Sequence, residues 1–88
     1  MPQSYTDPLL NARGQTHGDW VYQALVSQQI KSLFRDTSNW SDLTEGQREA
    51  MEMFAVKLSR ILSGNPDEPD HWRDIAGYAT LVAERLRK

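Results

Sequence analysis

The stretch Ser63-Gly64-Asn65-Pro66-Asp67-Glu68-Pro69 is a chain reversal. Gly64 suits the residue just past a helix, Pro66 cannot continue one, and Pro69 suits the first turn of the next. A connection this short makes the flanking helices antiparallel neighbours. Both flanks carry apolar residues at helical spacing. Upstream they are Ala50, Phe54, Leu58 and Ile61, with Met51 and Leu62 beside them. Downstream they are Ile75, Ala79, Val82 and Leu86, extended by Trp72, Ala76 and Ala83. Each set predicts one core-facing stripe.

Local signals set the helix ends. Thr44 followed by Gln47 fits a capping box, with Leu43 placed to staple the start of the second helix. Asp67, Glu68 and Asp70 complement the positive end of the third helix, and Arg85, Arg87 and Lys88 its negative end. A first helix follows the N-cap candidate Asp19, with Tyr22, Val26, Ile30 and Leu33 as its face and Val21, Leu25 and Phe34 widening it. Asp36 to Asn39 form a loop. The predicted helices cover about residues 19–34, 45–62 and 69–87 of a single helical domain, 19–88. Residues 1–18 read as an irregular arm interrupted by Pro2 and Pro8, with Leu9 and Leu10 as its one strong apolar pair. The expected fold is an all-α three-helix bundle with an irregular N-terminal arm.

At 88 residues the chain buries only about 60% of its unfolded surface. It has no cysteine to supply a disulfide or a thiolate zinc ligand, so oligomerisation through helices two and three is the expected support. Ten Lys and Arg against twelve Asp and Glu give a net charge of -2, which argues against a general nucleic-acid binder. No apolar run reaches the roughly 20 residues that cross a bilayer, and the first residues lack the pattern of a signal peptide. The expectation is a cytoplasmic protein without a membrane partner.

A second pattern runs along helices two and three. Opposite the first apolar stripe, Glu49, Glu52, Met53, Val56, Lys57 and Arg60 share one side. Asp70, Asp74, Gly77, Tyr78 and Leu81 do the same on helix three, where a mid-helix glycine costs about 1 kcal/mol against alanine and suggests close approach of a backbone or ligand. The antiparallel hairpin brings Lys57 and Arg60 near Asp70 and Asp74. A salt-bridge cluster is the plain reading of these four, and a homodimer interface that of the apolar residues among them.

The chemical reading starts from spacing. Glu49 and Glu52 are three apart, Asp70 and Asp74 four apart, so each pair shares a helix face. Four carboxylates on neighbouring helices suit Mg²⁺, which could orient a triphosphate, although Glu49 faces the far part of helix three and full convergence would need two chains. Arg13 and His17, just before helix one, are candidates for phosphate or a partner, as are Lys57, Arg60, His71 and Tyr78. Against this, the favoured reading of His17 and Gly18 is a simple turn, and that of His71 a hydrogen-bonded partial-core residue. Trp20, Trp40 and Trp72 are expected to complete a small core, with stacking on a base as the alternative.

Two resemblances attach to these residues. Arg13-Gly14-x-Thr16-His17-Gly18-Asp19, Gln47-Arg48-Glu49-Ala50-x-Glu52, Lys57-x-x-Arg60-Ile61-Leu62-x-Gly64-Asn65 and Asp70-His71-Trp72-x-Asp74-Ile75-Ala76-Gly77-Tyr78-Ala79 resemble a family of small bacteriophage and prophage proteins. That implies a phage origin and hence the host-cell cytoplasm, without an activity. More loosely, Glu49-x-x-Glu52 is similar to the first metal motif of the MazG-type all-α nucleoside triphosphate pyrophosphohydrolases. That family's second motif is Glu-x-x-Asp, from which Asp70-x-x-x-Asp74 departs in residue and spacing, and its further acid is replaced by Gln47 or Arg48. The resemblance implies a nucleotide-directed protein with Mg²⁺ at these acids. The alternative is a non-enzymatic phage accessory or anti-defence protein that binds a host protein.

Overall fold

The structure, a computed structural model, describes residues 19–86. The helix starts follow from their caps. The Asp19 carboxylate accepts a hydrogen bond from the Tyr22 N–H at 3.0 Å, and α1 (Trp20–Arg35) begins there. Thr44 and Gln47 form the reciprocal box: the Gln47 N–H donates to Thr44 Oγ1 at 3.1 Å, and the Thr44 N–H donates to Gln47 Oε1 at 2.9 Å. This starts α2 (Glu45–Ser63), which ends where the Gly64 N–H donates to the Arg60 carbonyl. Asn65 then forms a side-chain turn by accepting from the Asp67 N–H, and α3 (Pro69–Leu86) follows. The described chain is an all-α three-helix bundle.

Two connections are held by long side chains. Between α1 and α2 the residues Trp40–Asp42 form a 3-10 turn that the sequence pattern does not predict. The Arg48 guanidinium, in the first turns of α2, reaches back and donates to the carbonyl of Leu43 at 2.9 Å, with weaker contacts to those of Trp40 and Ser41. Trp40 stacks on Phe34, ring centroids 5.8 Å apart. Between α2 and α3 the Trp72 indole N–H donates to the Pro66 carbonyl at 2.8 Å. Trp20 and Trp72 are exposed and Trp40 is half-buried, so none of the three fills a core, and Trp40 and Trp72 brace the connections instead.

The packing corrects the expected faces. α2 lies between α1 and α3, which scarcely touch each other. The only buried apolar residues described are Ala50 and Ala55. Gln23, Ser27, Lys57, Ser59 and His71 are buried with them. The reason is size: small side chains let helix axes come close, and bulky ones are displaced to the flanks of the contact. Thus α1 docks through Gln23 and Ser27, with Val26, Ile30 and Phe34 half-buried, while its expected face residues Tyr22, Leu25 and Leu33 stand exposed. On α3 the inner ridge is His71, Ile75, Tyr78 and Val82, whereas Ala79, Ala83 and Leu86 are exposed. Gly77 admits no neighbour: a Cβ there would meet nothing within 4 Å, contrary to the close approach expected of it.

Two substitutions test this account by urea denaturation. Thr44→Ala removes one half of the capping box and should cost about 1 kcal/mol. Gly77→Ala adds a methyl group in open space and improves helix propensity, so it should stabilise by about 0.5–1 kcal/mol.

Candidate functional site

The bundle has two unlike ends. At one, the end of α1, the 3-10 turn, the start of α2 and the end of α3 surround an open groove of about 490 Å³. Phe34, Trp40, Met51, Phe54, Val82 and Leu86 contribute most of its bulk. Toward the other end the interior turns polar. Gln23 and Ser27 on α1, Lys57 and Ser59 on α2, and His71 on α3 are the buried polar side chains.

Lys57 and Asp74 are the centre of that polar end. The ammonium lies 2.7 Å from the carboxylate; the lysine side chain is 10% exposed and the aspartate side chain 47%. A lysine can be buried this way because its methylenes pack while its charge meets a partner at the protein edge. The hydrogen bond and charge of Lys57 hold the Asp74 carboxyl below the ordinary carboxylate range. Burial acts the other way with a smaller effect, and attraction from His71 and then Arg60, weaker still, again lowers it. Of the expected approach of Lys57 and Arg60 to Asp70 and Asp74, the Lys57–Asp74 pair is present, Arg60 acts on Asp74 through its charge alone, and Asp70 pairs with Arg73.

Arg60 is the odd member. It is half-buried, and its Nε is buried without a hydrogen-bond acceptor among the described residues. Its charge reaches Asp74, yet among the described residues it makes no ion pair of its own. A buried guanidinium N–H without an acceptor costs free energy that an arriving oxyanion would return. His71, only 2% exposed, is a fully interior residue with a partner, more deeply buried than the partial-core position expected of it. Tyr78 lies half-buried on the same inner ridge of α3.

The acids do not gather. Asp74 is engaged by Lys57, and Asp70 faces Arg73 of its own helix at 3.6 Å. Glu49 is exposed and Glu52 half-buried. Among the described residues no group of three or more His, Asp or Glu side chains is placed to hold a metal ion. The two pairs each share a helix face as their spacing requires, but within one chain the faces do not converge. Arg13 and His17 lie outside the described residues. No described helix is long and apolar enough to cross a membrane. Sequence reasoning missed the buried Gln23 and Ser27, since polar residues at helical spacing carry no signal that marks them as interior.

The lowered Asp74 value has a consequence for stability. A carboxyl whose proton binds less tightly in the folded state stabilises that state at pH values above its unfolded pKa, about 3.9. The contribution is lost as pH falls through the lower folded value. Asp74→Asn should therefore melt below the wild type at neutral pH, and the gap should narrow as pH drops below about 4. Circular-dichroism melts of both proteins from pH 7 to pH 2.5 check this.

The family described as Domain of unknown function (DUF6378) matches the chain over residues 8–86. No curated protein and no solved structure matches it.

Proposed function

We propose, for a chain that belongs to the DUF6378 family, that it is a nucleotide-directed protein which binds phosphate groups at the polar end of its bundle. The observation that carries this reading is the buried Arg60 Nε that lacks an acceptor, beside a lysine whose charge Asp74 already meets. Arg60 itself is half-buried and makes no ion pair among the described residues. An oxyanion is the ligand that would match it, and Arg offers phosphate a fork of donors.

The MazG-like resemblance supplies nucleotides as the class of phosphate compound. Mg²⁺ belongs to the reading through Glu49, Glu52, Asp70 and Asp74, but the residues of one chain do not fit it: two of the four acids already face cations, and no three converge. No catalytic step is therefore routed through a metal. Lys57 sets the position of Asp74, Asp74 offsets that charge, and Arg60 meets the phosphate. His71 and Tyr78 line the same inner ridge. The phage origin and the host-cell cytoplasm rest on the resemblance of the Asp70–Ala79 stretch. In that setting binding without turnover is itself a function, because it can sequester a nucleotide.

The test is thermal shift and calorimetry on the full chain with phosphate, pyrophosphate and the common NTPs and dNTPs, each with and without Mg²⁺. A nucleotide should raise the melting temperature, and Arg60→Ala should weaken its binding about tenfold or more, the loss expected for a hydrogen bond to a charged group. Absence of any shift with every compound would eliminate the reading.

A further inference from the structure

The mixed stripe of α2, opposite its apolar one, has an order of its own. Glu49, Met53, Val56 and Arg60 follow at intervals of four, three and four residues: acid, apolar, apolar, base. These intervals keep all four on one side of the helix. Glu49 is exposed, and Met53, Val56 and Arg60 are half-buried. Neither charge is answered by an ion pair among the described residues: Arg60 attracts Asp74, but that carboxylate is held by Lys57. Nor can Glu49 and Arg60 meet each other, because eleven residues set them about 16 Å apart along the axis.

We infer that this stripe is the contact between two copies of the chain, their α2 helices antiparallel about a two-fold axis that crosses each between residues 54 and 55. That axis sets Glu49 of each copy opposite Arg60 of the other, and Met53 opposite Val56, because both pairs are centred on the same point of the helix. One operation thus answers both charges in both copies and closes the apolar residues between them. The order of signs is what selects a second copy over a foreign protein: reversed, the stripe is its own complement, at the right interval. α2 as a whole has this polarity, with Glu45, Glu49 and Glu52 in its first half and Lys57 and Arg60 in its second. α3 repeats it, with Asp70 and Asp74 early and Arg85 in its last turn. Because the charge of Arg60 reaches Asp74, that flank of α3 lies beside the stripe, and there Tyr78 is half-buried and Leu81 is 54% exposed. A carboxylate brought to the half-buried Arg60 meets a partly desolvated cation, a stronger contact than a fully exposed pair. A guanidinium has two edges, so Glu49 of the second copy on one leaves the other for phosphate, and the pairing does not depend on the phosphate reading.

Sedimentation velocity on the full-length protein at tens of micromolar tests it. The wild type should sediment at twice the 10.1 kDa of one chain. Glu49→Arg and Arg60→Glu each set like charges against one another at both ends of the contact. Each variant alone should sediment at the mass of one chain with unchanged helical circular dichroism. Mixed in equal amounts they should regain the doubled mass, because a stripe with two bases then faces a stripe with two acids. A second readout needs no change of charge. In a chain without cysteine, mild oxidation should link Met53→Cys into a covalent dimer and leave Leu62→Cys, exposed on the groove side, as single chains. If Arg60→Glu does not fold, Glu49→Arg and the two cysteine variants decide. A monomeric wild type overturns the inference, as do single charge variants that stay dimeric or a mixture that stays monomeric. A cross-link at residue 62 without one at residue 53 overturns the choice of face. Because Glu49→Arg keeps Arg60, failure of the pairing registers as mass, and failure of phosphate binding registers separately as the absence of a thermal shift.

Discussion

The closeness of α2 to both of its neighbours is the constraint from which the other features descend. Ala50, Ala55 and Ser59 are buried on that helix, and Ser27 is buried on α1. Small residues at contact points allow short interaxial distances, and a helix held tightly on two sides becomes the spine of the molecule. What the arrangement gives up is bulk. With α1 and α3 hardly meeting, large apolar side chains have no shared centre to enter, and they collect along the edges of the two contacts.

That geometry also separates the ends chemically. Lys57, Arg60, His71 and Asp74 fall within the last turns of α2 and the first of α3, where the Ser63–Pro69 reversal forces the two helices together. The apolar residues fall toward the start of α2 and the end of α3. A single antiparallel hairpin therefore carries a buried ion pair in one half and an apolar groove in the other, and α1 spans both. Burial of a lysine is tolerable in the first half because Asp74 stands at the surface, partly hydrated, and spares the pair much of the cost of full desolvation.

The architecture was legible in local chemistry. Asp19, Thr44 with Gln47, and Gly64 each mark a helix boundary through hydrogen bonds that involve residues no more than four positions apart, and such bonds depend little on the rest of the fold. The approach of Lys57 to Asp74 followed from the shortness of the reversal. Which side of each helix faces inward was harder to read. Periodicity shows that Phe54, Leu58 and Leu62 share a side, but it does not say whether that side meets this chain or another surface. Leu33 shows the same gap: it belongs to a regular apolar stripe and is 68% exposed. The separation of the acids was obscured for a related reason, since spacing fixes residues on one helix and leaves the rotation of the next helix open. The 3-10 turn at Trp40–Asp42 depends on Arg48 across a distance of several residues, which no local pattern carries.

Arg48 gives that turn a mechanical character. The guanidinium, bound to the Leu43 carbonyl with a weaker contact to that of Trp40, ties the 3-10 turn to the start of α2, and Trp40 of that turn stacks on Phe34 near the end of α1. The mouth of the groove thus keeps its outline through polar ties and does not wait for an occupant to shape it. A molecule that enters meets a wall already set, and little ordering entropy is lost on that side of the contact.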